Sequence, residues 1–179
     1  IDRNTAARLG CYVLAGFPSL PSSNSLLLHP PTGLPTTYSK HFLYTTDESW
    51  ALPGPSFKTL SLPFPPSSPS FGGEFVLCPT ICMDLNPEKF EAPFEKYELA
   101  RFVEESRAEV VVCAMAWLDS EPAEGEQEDN GEAGEEWEKV RGTLGYWAAR
   151  LAPLLGSGVA FVACNRVGRE GGKCSLALL

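Results

Sequence analysis

The pattern of apolar runs predicts an α/β fold, and three observations carry that prediction. Short apolar runs at residues 11–15, 73–80, 109–114 and 159–163 have strand length and are bounded by turn residues. Two longer segments, about 93–107 and 137–154, show helical periodicity. The two kinds alternate along the chain, which is the order in which helices cross over between strands of a sheet.

Residues 2–9 read as a helix, stopped by Gly10 at the position where helices end in a left-handed residue. A strand follows at 11–15, a Pro/Ser turn at 18–23, and a second strand at 24–28. Residues 53–70 contain six prolines and several serines, so they read as a loop without a packed core. The strand at 73–80 leads directly to Cys82.

Asn86-Pro87 is a helix-start signal, with Asn as cap and Pro at the first position. The helix it announces is expected over about 93–107, where Leu99, Phe102 and Val103 share a face. The Val-rich run at 109–114 reads as a buried strand. Trp137, Val140, Leu144, Trp147, Leu151 and Leu154 recur at spacings of three and four, the signature of an amphipathic helix. The last strand is expected at 159–163.

A length of 179 residues suits one domain with a real core. The formal charge of −9 is concentrated in one place. Residues 119–138 hold ten acids and no Lys or Arg, and 23 acids less those ten leaves 13 against 14 bases. The Gly/Glu-rich run at 119–136 therefore reads as a solvated loop on a near-neutral body. No basic patch interleaved with aromatics suggests nucleic acid. No run has the length of a membrane-spanning helix. The polar start, Ile1-Asp-Arg-Asn-Thr, shows neither a cleavable leader nor an initiator methionine, so a fragment or a processed product is expected.

The six cysteines form no CxxC pair. Cys11, Cys113 and Cys164 lie in apolar runs, where cysteine serves as a small hydrophobe. Free thiols in a reducing compartment are expected. His29 and His41 show no ligand spacing with cysteine, so no metal site and no cofactor are expected.

Cys82 stands apart. It follows an apolar strand and precedes a helix start, in Ile81-Cys-Met-Asp-Leu-Asn-Pro87. Backbone N–H groups at such a turn lower a thiol pKa and can hold an oxyanion, so Cys82 is the candidate nucleophile and the Met83 N–H the candidate oxyanion donor. Cys78, inside the strand, has only a packing role. Lys40 sits among Tyr38, Phe42, Leu43 and Tyr44, an apolar setting in which an ammonium needs a partner. Lys58, in the Pro-rich segment, reads as a surface lysine.

These segments resemble the carbon–nitrogen hydrolase (nitrilase) superfamily, and within it the branch of protein N-terminal amidases. The resemblance is carried by Leu14-Ala-Gly-Phe-Pro18, by residues 40–54, by Ile-Cys-Met-Asp-Leu-Asn-Pro and Lys-Phe-Glu-Ala-Pro-Phe-Glu-Lys-Tyr-Glu-Leu-Ala within 81–100, by Met115-Ala-Trp-Leu118 and by Cys164-Asn-Arg-Val-Gly168. It implies an α-β-β-α sandwich, of which this chain would be part, truncated at both ends. It implies a thiol amidohydrolase that converts N-terminal Asn and Gln of proteins to Asp and Glu through a Cys thioester, releasing ammonia, in the cytoplasm and the nucleus. Cys82 would be the nucleophile, Lys40 the cation at the oxyanion, and Glu48 the auxiliary acid that orients the site. Trp117 and Asp119, which follow a strand end where loops carry function, are candidates to line the substrate pocket. The family's glutamate base lies upstream of the segment matching residues 4–18. A chain lacking it would show no turnover. Two further readings stay open: a non-catalytic scaffold or interaction protein, and a nitrilase or small-amide amidase of the same superfamily.

Overall fold

A computed structural model describes residues 3–19, 23–118, 133–170 and 173–175. Helix α1 (Arg3–Leu9) ends at Gly10, whose φ of +62° is the left-handed stop its sequence predicts. Strands β1 (Val13–Ser19), β2 (Ser23–His29) and β3 (Thr36–Ser39) form an antiparallel sheet in chain order. The first strand begins and ends later than the apolar run at 11–15 suggests. Its register, Val13 with His29 through Ser19 with Ser23, makes a tight hairpin.

The second sheet has the order β4-β5-β6-β7. Strand β4 (Leu60–Pro63) is antiparallel to β5 (Glu74–Ile81), while β6 (Val110–Met115) and β7 (Ala160–Asn165) run parallel to β5. Parallel neighbours need crossovers. These are α2 (Glu98–Glu105) between β5 and β6, and α3 (Ala133–Arg150) between β6 and β7. Strand β2 lies against β5, so the two sheets meet face to face. A short ribbon, β8 (Gly168–Glu170) with β9 (Lys173–Ser175), follows.

Alternation along β6 explains the layering. Val111, Cys113 and Met115 are buried on one face, where they meet Leu99, Ala100 and Val103 of α2 and Trp147 of α3. Each large side chain removed from water here stabilises the domain by about 1.5–3 kcal/mol. Arg150, 1% exposed, ties α3 to the segment after β5. Its Nε donates to Leu85 O at 2.9 Å, and its guanidinium pairs with Glu98 Oε2 at 2.9 Å and with Phe94 O.

Three expectations change in detail. The Pro/Ser-rich stretch 53–70 contains β4, and Phe57 within it is buried in the main core. An edge strand tolerates proline, and β4 is an edge. The helix at 93–107 is shortened to α2. Residues 88–96 form two 3₁₀ turns instead, and Tyr97 at φ 47° is left-handed, so a regular helix begins only after it. On α3, Val140 and Trp147 are buried, but Trp137 and Leu144 of the same stripe are exposed. Most of the acidic run lies outside the described residues; its last four residues, 133–136, belong to α3.

Candidate active site

The β5 strand ends at Ile81, and the chain turns sharply into a 3₁₀ turn, Cys82–Leu85. Cys82 has a φ of 37°, a left-handed conformation that costs a non-glycine residue of order 1–3 kcal/mol. The turn persists because Asp84, two residues on, accepts the Ile81 N–H at 2.8 Å. Cys82 opens into a cavity of about 750 Å³, walled by β1, β2, the segment after β3, the ends of β5 and β6, and Arg166 after β7.

Lys40 lies in the same cavity wall and is 4% exposed. Its backbone is held on both sides: its N–H donates to Asn24 O at 2.8 Å, and its carbonyl accepts the Gly54 N–H at 2.6 Å. The ammonium donates to Asp47 Oδ2 at 2.6 Å. Tyr44 N–H donates to the same oxygen at 3.2 Å. The need for a partner that the apolar setting of Lys40 imposes is therefore met by Asp47.

Glu48, the acid the resemblance singles out, is exposed and is not part of the cavity wall. The turn decides this. Asp47 and Glu48 both donate their N–H groups to Tyr44 O, and this fold sends the Asp47 carboxylate inward. Met83 lines the cavity beside Cys82, and its N–H falls in the first turn of the 3₁₀ segment, where no intrahelical acceptor exists. Trp117 is half-buried in the cavity wall, its N–H donating to Asn165 Oδ1 at 2.8 Å and its ring edge-on to Trp147 at 5.5 Å. Asp119 lies outside the described residues.

Burial pushes the Cys82 thiol up from its ordinary value. A backbone group of Ala116 and the Lys40 ammonium pull it down, while Asp84 and Asp47 push it up. The lowered thiol pKa expected from the turn alone is thus outweighed by desolvation. Cys78, on the strand face packed into the core, is pushed up to about 12 by burial, and Cys113 is raised further for the same reason. Neither lines the cavity. Among the described residues, Asp47 is the one carboxylate in the cavity wall, and it is engaged by Lys40.

Sequence reading did not single out Asp47, Asp84, Asn86, Tyr44 or Arg166. Only Asn86 carried a signal of its own, as a helix cap; instead it is 4% exposed, receives Tyr146 OH at 2.8 Å and lines the cavity.

No family model matches the sequence. Two curated relatives are named protein N-terminal amidase. The one from Schizosaccharomyces pombe is 34% identical over 181 residues, covering 89% of this chain and 57% of its own length. The one from Saccharomyces cerevisiae is 31% identical over 134 residues, covering 67% of this chain and 29% of its own length. A crystal structure of N-terminal amidase with an Asn-Glu-Ala peptide superposes with a TM-score of 0.59 at 25% identity, over 80% of this chain and 37% of that one. The fold is shared more widely: a carbon–nitrogen hydrolase superfamily protein from Xanthomonas campestris, with an arsenic adduct in its active site, gives 0.55 at 17% identity over 97% of this chain and 54% of that one.

The chain is similar to protein N-terminal amidases and shares the fold of a carbon–nitrogen hydrolase superfamily protein.

The chain spans about 57% of the length of its Schizosaccharomyces pombe relative. Its sheets and helices share the fold of part of the Xanthomonas campestris protein.

Proposed function

We propose that this chain is part of a protein N-terminal amidase of the carbon–nitrogen hydrolase superfamily, a thiol enzyme that removes ammonia from the side-chain amide of an N-terminal Asn or Gln. The observation that carries the reading is that Cys82 and Lys40, 42 positions apart, open into one cavity large enough for the end of a peptide. The names of the relatives, and the Asn- and Gln-initiated peptides in the solved structures, supply the substrate class.

In this reading the Cys82 sulfur attacks the amide carbon as its proton leaves to a base. The carbonyl oxygen becomes an oxyanion, held by the Lys40 ammonium and the Met83 N–H. The C–N bond breaks as the amide nitrogen takes up a proton and departs as ammonia. Water then attacks the thioester, leaving Asp or Glu and restoring the thiol. Because burial keeps Cys82 protonated, a general base is required. Asp47 is committed to Lys40, and the glutamate that the resemblance places upstream of residues 4–18 is the base of this proposal. Trp117 and Tyr44 form apolar wall for the substrate, and Asp119 is the acid proposed to complete it. Substrates are protein N-termini in the cytoplasm and nucleus, where the reaction converts an amide-bearing N-terminus into an acidic degradation signal. No helix among the described residues is long and apolar enough to cross a membrane.

The test is ammonia release from Asn- and Gln-initiated peptides by this chain and by a form of the protein as long as its relatives. Release by the long form that disappears in its Cys82→Ala variant is the expected result. A long form that releases no ammonia from either peptide overturns the reading.

A further inference from the structure

Asp84 is completely buried, yet it stands outside the cavity wall and touches neither the Cys82 sulfur nor the Lys40 ammonium by hydrogen bond. Its two oxygens accept four hydrogen bonds. Oδ1 receives the His41 N–H at 3.0 Å and the Phe42 N–H at 2.8 Å. Oδ2 receives the Ile81 N–H at 2.8 Å and the Tyr38 hydroxyl at 2.8 Å. A carboxylate has about four lone-pair sites, so its capacity is full.

The donors come from two places. Tyr38, His41 and Phe42 flank Lys40 on both sides; Ile81 precedes Cys82. The segment bearing the lysine and the turn bearing the cysteine are thus hydrogen-bonded to the same group. Any buried carboxylate needs donors, and backbone N–H groups from anywhere would satisfy it. These donors come from the immediate neighbours of the two residues that must act together.

We propose that Asp84 is a positioning residue, which sets where the Lys40 ammonium stands relative to the Cys82 sulfur. The proposal rests on the amidase reading for the roles of Lys40 and Cys82, but not for its geometry. Asp84 acts by locating others: its hydrogen bonds to residues 41 and 42 fix the backbone from which Lys40 reaches the cavity, and its bond to Ile81 holds Cys82 in its left-handed turn.

Two variants test it. Asp84→Asn keeps the shape, but its NH2 group must face either the Ile81 N–H and the Tyr38 hydroxyl or the two N–H groups of residues 41 and 42. Tyr38→Phe removes one donor and leaves the three backbone bonds, so it keeps the fold. The primary readout is the rate at which iodoacetamide alkylates Cys82 across pH, followed by peptide mass and requiring no turnover. The titratable groups facing the Cys82 thiol are Lys40, Asp47, Asp84 and Cys113. The Asp84 charge by itself pushes that thiol up. Removing the charge alone therefore shifts the alkylation profile to lower pH, whereas displacing Lys40 shifts it to higher pH.

The expected result for Asp84→Asn is a shift to higher pH, with a smaller shift of the same sign in Tyr38→Phe. In the form that turns over, kcat falls about a hundredfold, the loss that a misplacement of about 1 Å brings, while KM changes little. A folded Asp84→Asn protein whose profile is unchanged, or moves to lower pH, overturns the proposal. If that variant does not fold, an unshifted profile in Tyr38→Phe overturns it. A wild-type long form that alkylates normally but releases no ammonia counts against the amidase reading and leaves the alkylation profiles to decide the role of Asp84.

Discussion

The ammonium of Lys40 lies 2.6 Å from Asp47 Oδ2, in a cavity wall where the lysine side chain is 5% exposed and the aspartate 13%. An ion pair so enclosed is costly to break from one side, because the surviving charge is left buried without compensation.

Replacing Asp47 by Asn tests that relationship. The expected outcome is a loss of about 3–5 kcal/mol, as for other one-sided deletions of buried pairs, read by denaturant unfolding. The double variant Lys40→Met, Asp47→Leu should recover much of this loss while remaining inactive. Glu48→Gln, at an exposed position, should leave stability within about 0.5 kcal/mol of wild type. A large loss in Glu48→Gln with little in Asp47→Asn would mean that the wrong carboxylate has been assigned to the lysine.

Alkaline pH should destabilise the protein. Cys78 is raised from 9.0 to about 12 by burial, and Cys113 and Tyr38 are raised as well, Tyr38 by burial and by Asp84. Above pH 9 the unfolded chain releases protons that the native state keeps, so stability falls with rising pH from about 9 towards 12. Thermal midpoints measured from pH 7 to 11 should decline above pH 9, and Tyr38→Phe should flatten the upper part of the decline. A flat profile would contradict the burial of these groups.

Gly54 should not accept a side chain. A Cβ there would lie 2.2 Å from Ser39 O, and the same glycine donates its N–H to Lys40 O. Gly54→Ala must push the 51–57 segment away from Lys40. We expect a marked drop in thermal midpoint and, in the long form, a loss of turnover larger than that of Gly145→Ala, which meets open space on α3. Equal behaviour of the two variants would refute the close approach.

Arg150 should resist conservative replacement. Its planar fork serves Leu85 O, Phe94 O and Glu98 together, with Phe94 and Tyr97 rings near the guanidinium at 4.9 and 5.7 Å. Lysine offers a point charge without that geometry. Arg150→Lys should therefore lose most of what Arg150→Met loses, on the order of 3–5 kcal/mol for uncovering Glu98. Full stability in Arg150→Lys would show that charge alone matters.

The candidate site was legible where its signal is local. Cys82 announces itself by a strand before it and a helix-start signal after it, and Lys40 by an apolar neighbourhood that demands a counter-ion. Asp84 stands inside the motif that drew attention to Cys82, yet nothing adjacent reveals its task, since its partners lie mostly 42 to 46 residues away. Asp47 and Glu48 are neighbours of the same charge. Only the turn that sends the Tyr44, Asp47 and Trp50 backbone groups to particular partners selects which carboxylate faces the cavity. The Pro/Ser composition of residues 53–70 concealed β4 and the core residue Phe57, because composition reports local preference while an edge position forgives it.

By itself the sequence determined the alternation of strands and helices, most of the strands of both sheets, and the two residues that the proposed chemistry needs. Those follow from periodicity, turn residues and short motifs, which act over a few neighbouring positions. The tertiary structure alone decided that Cys82 and Lys40 share a cavity, that Asp47 holds the ammonium, that Asp84 joins the two segments, and that burial raises the Cys82 thiol against its turn. Each of these depends on which distant groups approach and on how much water they exclude. Coulombic and desolvation energies are set by distances in space, and separation along the chain does not encode them.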